Sequence, residues 1–108
     1  MATSQGTIDH LLDTLSNPRV TARKMFGEYA LYVDAKVTAL VCDDQVFIKP
    51  STADVSFREQ CEAAPPYPGA KHYWLVPEDL IHDRDWLRRA LESTAGTLPS
   101  PKQKVPRQ

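Results

Sequence analysis

The sequence predicts an α+β fold in which an antiparallel β-sheet meander is flanked by helices. The chain has 108 residues, of which 42% are hydrophobic and 25% charged, which suits one small domain with a single core. Apolar residues recur at helical spacing near both ends, within residues 8–15 and 86–91. Between these segments, alternating stretches follow one another too closely to be joined in any way except antiparallel. The predicted order is α-β-β-β-α-β-α, and the sequence is also compatible with one additional strand.

The first helix is predicted from apolar residues that share one helical face, namely Ile8, Leu11, Leu12 and Leu15. Ser4 or Thr7 can cap its start, and Asp9 suits the positive end of the helix dipole. Asn17 and Pro18 should end it, because the residue before a proline is disfavoured in a helix.

Three closely spaced strands are predicted for the meander, in residues 28–34, 37–44 and 45–50. In the first, EYALYVD, the side chains of Tyr29, Leu31 and Val33 point to one face and the intervening side chains to the other. Short turns at residues 34–36 and 43–45 separate the strands. Such alternation predicts a sheet with one buried face.

The second half is predicted to contain a helix, a stiff loop, a strand and a last helix, in residues 51–64, 64–69, 72–77 and 77–96. Ser51 or Thr52 can cap the first of these helices, with Val55 or Phe57, and Cys61, on its inner side. The loop APPYPG should be extended, because its three prolines fix the backbone and restrict the residues before them.

Charge and composition restrict the classes of protein to which the chain can belong. The formal net charge is -1, which gives no bulk attraction to nucleic acid or to an acidic membrane. A single domain is predicted over residues 1–98, followed by a flexible, basic, Pro-rich tail over residues 99–108. No apolar signal segment opens the chain, and no apolar run approaches the roughly 20 residues of a membrane span. These features predict a cytoplasmic protein with reduced thiols and no membrane contact.

The residue types that carry chemistry are not grouped along the chain. The three histidines lie in three different predicted elements, and the two cysteines do not have the spacing of a zinc site. Asp43 and Asp44 suit a polar hairpin turn better than a cation site. The sequence therefore predicts no catalytic residue, no metal and no cofactor. A meeting of Cys61 with His72 through the fold is the remaining catalytic alternative.

Three segments together resemble one family: RKMFGEYALYVD with the following VTALVCDDQVFIKP, then FREQCEAAPPYPGAKHYWLVPEDL, then the D-W-L sequence at residues 85–87. From about Ile8 to Leu98, the chain resembles the amino-terminal domain of the TfoX/Sxy competence regulators. The resemblance implies an antiparallel sheet with helices packed against it, a regulatory role, and no established catalytic residues. The two-domain regulators activate competence genes alongside the cyclic-AMP receptor protein.

Two departures from that family pattern stand out. Similar proteins usually place a glycine where this chain has Ala35, so a turn that needs positive φ there would be strained. The longer regulators also carry a further helical domain, and this sequence instead ends in the basic tail. A domain that stands alone need not keep the competence role.

Three functional hypotheses follow. The first is a non-catalytic regulatory or protein-interaction domain with a partner in the transcription machinery, which also pairs with itself through a sheet edge. The second is direct nucleic-acid binding through Arg23, Lys24 and the tail. The third is a small-molecule-sensing domain or an unrecognised enzyme that uses the aromatic residues Tyr67, Tyr73 and Trp74.

The candidate partner-binding residues lie in the most family-specific stretch, and they are Arg23, Lys24, Phe26, Gly27 and Glu28. Glycine weakens a strand unless the backbone needs its freedom or another group must come close. Gly27 is therefore predicted either to form a bend or bulge at the entry to the meander, or to let the backbone of a partner approach.

Overall fold

Residues 3–25 and 27–98 are described by the structure, a computed structural model of the chain. The helices are α1 (Gln5–Leu15), α2 (Glu78–Ile81) and α3 (Arg84–Thr97), and the strands are β1 (Val20–Met25), β2 (Glu28–Val33), β3 (Lys36–Cys42), β4 (Gln45–Ile48), β5 (Glu62–Ala64) and β6 (Tyr73–Leu75). The strands form one six-stranded sheet in the order β1-β2-β3-β4-β6-β5, with every neighbouring pair antiparallel. The predicted α+β class is confirmed.

The helix ends are set by side-chain caps. The Ser4 hydroxyl accepts a hydrogen bond from the backbone N–H of Thr7 at 3.2 Å and starts α1. The predicted last helix is divided in two, because the carboxylate of Asp83 accepts from the N–H of Trp86 at 3.1 Å and starts α3 separately. The prediction of one continuous helix from residue 77 onward was therefore wrong.

Tight turns join the strands of the meander, and their backbone angles are those that β-hairpins favour. Asp34 and Ala35 have φ of 52° and 68°, and Asp43 and Asp44 have φ of 53° and 61°. Two consecutive residues with positive φ are typical of the I′ turn, whose twist matches that of the flanking strands. The predicted polar turn at residues 43–45 is confirmed, and Ala35 occupies the conformation that favours glycine.

Strand β1 was not predicted as a separate strand. Its residues are mostly exposed and polar, because β1 lies at the edge of the sheet and β2 is its one partner among the described strands. An edge strand of this kind lacks the strict alternation of apolar residues by which a half-buried strand is recognised.

The helix predicted over residues 51–64 was wrong. The chain forms two short 3-10 turns, Thr52–Ser56 and Arg58–Gln60, and then the strand β5. Ser51 caps the first turn as predicted. Phe57 leaves helical geometry at φ -141° and is only 2% exposed, whereas Val55 is 64% exposed. Burial of the Phe57 ring against Trp86, with centroids 6.0 Å apart, and the pairing of β5 with β6 override the local helical preference.

Both faces of the sheet contain buried side chains. On the core face, α1 and α3 pack over strand residues of β2, β3 and β4; the largest buried members are Ile8, Leu11, Leu15, Leu31, Ile48, Leu87 and Leu91. On the other face, called here the second face, the buried residues are Ala30, Leu40, Cys42 and Phe47. The prediction of one buried face is corrected accordingly. No helical residue of the described chain belongs to the second cluster.

None of the helices in the described part of the chain combines the length and the apolar character that crossing a membrane requires.

Candidate functional site

The two predicted basic residues do not form one patch. Arg23 pairs with Ala30 across β1 and β2, and Lys24 pairs with Tyr29. Ala30 lies on the second face and Tyr29 in the main core, so the side chains of Arg23 and Lys24 point to opposite faces of the sheet. Both side chains are exposed.

Gly27 lies in the two-residue turn between β1 and β2, since Met25 pairs directly with Glu28. Its φ is 82°, which side-chain-bearing residues rarely adopt, and an added Cβ would meet no atom within 4 Å. Backbone conformation therefore explains the glycine, and the predicted bend takes the form of a hairpin turn. Phe26, the neighbouring candidate, lies outside the described residues.

Glu28 joins three separate parts of the chain. Its Oε1 lies 2.7 Å from the hydroxyl of Thr3 and accepts the backbone N–H of Asp43 at 3.0 Å. The same hydroxyl accepts the N–H of Asp44 at 3.2 Å and lies 3.0 Å from the carbonyl of Val41. The Thr3 N–H also donates to the Gly27 carbonyl at 3.2 Å. These bonds hold the start of the chain, the β1–β2 hairpin and the β3–β4 turn together.

Asp44 anchors helix α1 to the same end of the sheet. Its Oδ1 accepts the Thr7 hydroxyl at 2.8 Å and the Ser4 N–H at 3.1 Å. The Thr7 hydroxyl and then the Ser4 N–H lower the pKa of this carboxyl below its ordinary value, because both bonds favour the charged form. Asp44 is thus a structural residue of the hairpin end.

A cavity of about 880 Å³ opens on the second face beside Glu28. Its floor and walls are formed by Met25, Glu28, Leu40, Cys42, Asp43, Gln45, Phe47, Pro65, Pro66, Tyr67 and Pro68. The strands supply the floor, where Leu40 and Phe47 are a directly opposed pair of β3 and β4. The proline-rich loop supplies the wall, with Pro66 buried and Tyr67 54% exposed.

Of the aromatic residues predicted for a sensing site, only Tyr67 lines this cavity. Tyr73 belongs to the partly buried residues of the second face, and burial raises its pKa. Trp74 packs on the opposite, core face and donates from Nε1 to the carboxylate of Asp54 at 2.9 Å. The cavity was missed by sequence reasoning because residues far apart in the chain form it. The proline-rich APPYPG sequence, which forms one wall, was the one local feature of the cavity that the sequence made recognisable.

Neither cysteine has the properties of a nucleophile. Burial raises the pKa of the Cys42 thiol to about 11, with further contributions from the negative charges of Glu28 and Asp43. Burial alone raises the pKa of Cys61 to about 11. The register of β5 and β6 pairs Glu62 with Leu75 and Ala64 with Tyr73, so Cys61 and His72 lie at opposite ends of the pair. The alternative that paired these two residues was wrong.

The fold does bring two histidines together. The rings of His10 on α1 and His82 after α2 meet edge to face, with centroids 5.6 Å apart. Sequence reasoning placed them in separate elements and gave no signal for this contact. Within residues 3–25 and 27–98, no group of three or more potential metal ligands is assembled.

Comparison with known proteins agrees with the motif-level resemblance. The family model described as the TfoX N-terminal domain matches residues 10–96. An uncharacterized 12.7 kDa protein in the trpE 5′ region of Spirochaeta aurantia is 42% identical over 104 residues, which cover 94% of this chain and 89% of that relative.

Proposed function

The chain belongs to the TfoX N-terminal domain family, and we propose that it is a non-catalytic regulatory domain that acts by binding another protein. The family resemblance supports a role in regulating competence genes and a partner in the transcription machinery. The candidate contact residues are Arg23, Lys24, Phe26, Gly27 and Glu28.

The observation that carries this proposal is the open edge of the sheet at β1. The N–H of Asp34 donates to the carbonyl of Arg19 at 3.1 Å, which sets the alternation of hydrogen bonds along the β1–β2 pair. Thr21 and Arg23 accordingly face β2 with their backbone groups, and Ala22 and Lys24 direct theirs outwards. Outward N–H and C=O groups on an edge strand are a template for a strand of another chain.

The same edge supports a homodimer. Antiparallel pairing of two β1 strands about Ala22 places Arg23 of one copy opposite Thr21 of the other, so that like charges do not face each other. Light scattering at micromolar concentration should then report a dimer. A monomer at every concentration would remove the self-association from the proposal.

The test is affinity capture of the tagged chain from its own cell extract, with and without nuclease, using three forms of the protein. Wild type and Lys24→Ala keep the outward N–H, and Lys24→Pro removes it while an edge strand tolerates the proline. Because Lys24 would take part in strand pairing through its backbone, we expect a nuclease-resistant partner that Lys24→Ala retains and Lys24→Pro loses. Circular dichroism checks that both variants fold.

Two outcomes contradict the proposal. Capture that vanishes with nuclease assigns the surface to direct DNA or RNA binding, which should also weaken steeply with salt. A partner that binds Lys24→Pro as well as wild type shows that the β1 edge is not the contact.

A further inference from the structure

We propose that the cavity on the second face binds a small organic cation, a free molecule with an apolar body and an ammonium-type head. This inference concerns ligand binding and does not depend on the partner interaction proposed above. It rests on the size of the cavity, the rigidity of its wall and the sign of its charges.

The size and lining of the cavity match those of small-molecule sites. Its volume of about 880 Å³ lies within the roughly 300–1,000 Å³ typical of such pockets. The floor is apolar and preformed, because Leu40 and Phe47 are only 6% and 4% exposed and belong to paired central strands. Met25, 37% exposed at the end of β1, gives a flexible apolar border that adapts to a ligand. An apolar body is therefore the part of the ligand that this floor would accommodate.

The wall is stiff and cannot extend the sheet. Pro65, Pro66 and Pro68 have restricted backbones and carry no N–H group. A peptide that adds itself to a strand relies on backbone donors and acceptors on the receiving side. Three prolines within four residues remove most of these donors, which favours a compact ligand over an extended peptide at this position.

The charges of the lining select the head group. Glu28 and Asp43 contribute carboxylates and Gln45 an amide, and no lysine, arginine or histidine is among the described lining residues. Both hydrogen bonds of the Glu28 side chain use Oε1, and no described residue donates to Oε2. An ammonium placed here gains charge-assisted hydrogen bonds, whereas a carboxylate or phosphate would meet two like charges.

The experiment is isothermal titration of the full chain with three probes of equal length, n-octylammonium, octanoate and octanol, below the concentrations at which they aggregate. We expect saturable one-to-one binding of octylammonium, about tenfold tighter than octanol, because a hydrogen bond to a charged group adds roughly one decade of affinity. Octanoate should bind most weakly.

Variants locate the site. Glu28→Gln and Asp43→Asn keep an acceptor oxygen, and each should weaken octylammonium about tenfold with little effect on octanol. Asp13→Asn is the matched control, because it removes one exposed carboxylate from α1, outside the cavity lining. Met25→Lys places a cation at the border of the cavity and should abolish octylammonium binding while the protein stays folded.

Four results would overturn the assignment. Equal affinity for the three probes, or octylammonium binding that Met25→Lys and Asp43→Asn leave unchanged, places the amphiphile elsewhere. No binding up to millimolar concentration removes the site. Tighter binding of a capped Leu-Lys peptide than of octylammonium assigns the cavity to a protein segment.

Discussion

The hydroxyl of Thr3 lies 2.7 Å from Oε1 of Glu28, and this contact fastens the start of the described chain to the first hairpin. Thr3 is only 6% exposed, and the same carboxylate oxygen accepts the N–H of Asp43. Removing the carboxylate would leave a buried hydroxyl and a backbone donor without this acceptor. We expect Glu28→Ala to lower the free energy of unfolding by about 1–3 kcal/mol.

Glu28→Gln separates the hydrogen bonds from the charge. Glutamine keeps an acceptor oxygen at the same distance from the backbone, so it should recover most of the lost stability. Urea unfolding of the three proteins measures the effect. Equal stabilities of Glu28→Ala and wild type would show that this contact does not hold the chain start.

Ala35 should be a source of strain in the β2–β3 turn. Its φ of 68° places its Cβ close to the following carbonyl, at a cost of about 1–2 kcal/mol that glycine avoids. The greater freedom of glycine in the unfolded chain offsets part of this gain, so Ala35→Gly should stabilise the protein by roughly 0.5–1 kcal/mol. Thermal unfolding with Ala63→Gly as control is the measurement. The control, in strand β5, should destabilise, and the prediction fails if both variants do.

The hydrogen bond from Trp74 Nε1 to Asp54 Oδ2 should contribute to stability. Asp54 is 8% exposed and the bond is 2.9 Å long, whereas the Arg58–Asp54 ion pair is 3.4 Å long and half exposed on the arginine side. The exposed pair should add little. Asp54→Ala is expected to cost about 1–3 kcal/mol, since it leaves the indole N–H without an acceptor.

Two companions make the Asp54 measurement specific. Asp54→Asn retains an acceptor oxygen and should lose less, and Arg58→Ala should change the urea midpoint only slightly. If Arg58→Ala costs as much as Asp54→Ala, the ion pair and not the indole bond is the stabilising contact.

Acid should weaken the fold through Asp34 and Asp44. The bond from Arg19 lowers the pKa of Asp34, and the bonds from Thr7 and Ser4 lower that of Asp44, in each case below the ordinary 3.8. A carboxyl whose pKa is lower in the folded than in the unfolded state stabilises the fold at any pH above the unfolded-state pKa. This stabilisation is lost as the pH falls through the folded-state pKa. Urea midpoints measured from about pH 7 to about pH 2 should therefore fall mainly below about pH 4.

The Asp44→Asn variant tests whether Asp44 contributes to this loss of stability in acid. It should show a smaller drop between neutral and acid pH than wild type, because it has no carboxyl to titrate at this position. Asp13→Asn, at an exposed carboxylate of α1, controls for the replacement of an aspartate by an asparagine. Identical profiles for wild type and Asp44→Asn would contradict the assignment.

Both thiols should react slowly at neutral pH. Burial raises the pKa of Cys42 and of Cys61 to about 11, and the thiolate is the reactive form. Alkylation by iodoacetamide should therefore be much slower in the folded chain than in urea, and it should accelerate as pH rises towards that value. Rapid labelling of the folded protein at neutral pH would indicate an activated cysteine.

Much of the fold could be predicted because its signals are local. The stripe through Leu11 and Leu15 and the alternation through Tyr29 and Leu31 report a helix and a strand without reference to the rest of the chain. Strand β1 and the region of Phe57 could not be read in this way. An edge strand needs no apolar alternation, and tertiary burial of Phe57 overrides the helical preference of its neighbours.

In the candidate site, too, the features with local sequence signals could be predicted and those formed by distant residues could not. Gly27 and Glu28 were singled out because they are adjacent in one motif, and the structure explains them through the turn and the bonds to Thr3. Phe47 and Pro66, by contrast, line the same cavity because β4 lies beside β6, which carries β5 at its outer edge.

The sequence by itself determined the class of fold, the family and the positions of the tight turns, since periodicity, turn chemistry and motif order are properties of neighbouring residues. Only the tertiary structure decided the strand order, the separation of Arg23 from Lys24, the contact of His10 with His82 and the cavity beside Glu28. These features arise from pairing and packing between residues distant in the chain. No local pattern encodes them, because the free energy that selects them comes from the burial of the assembled sheet and helices.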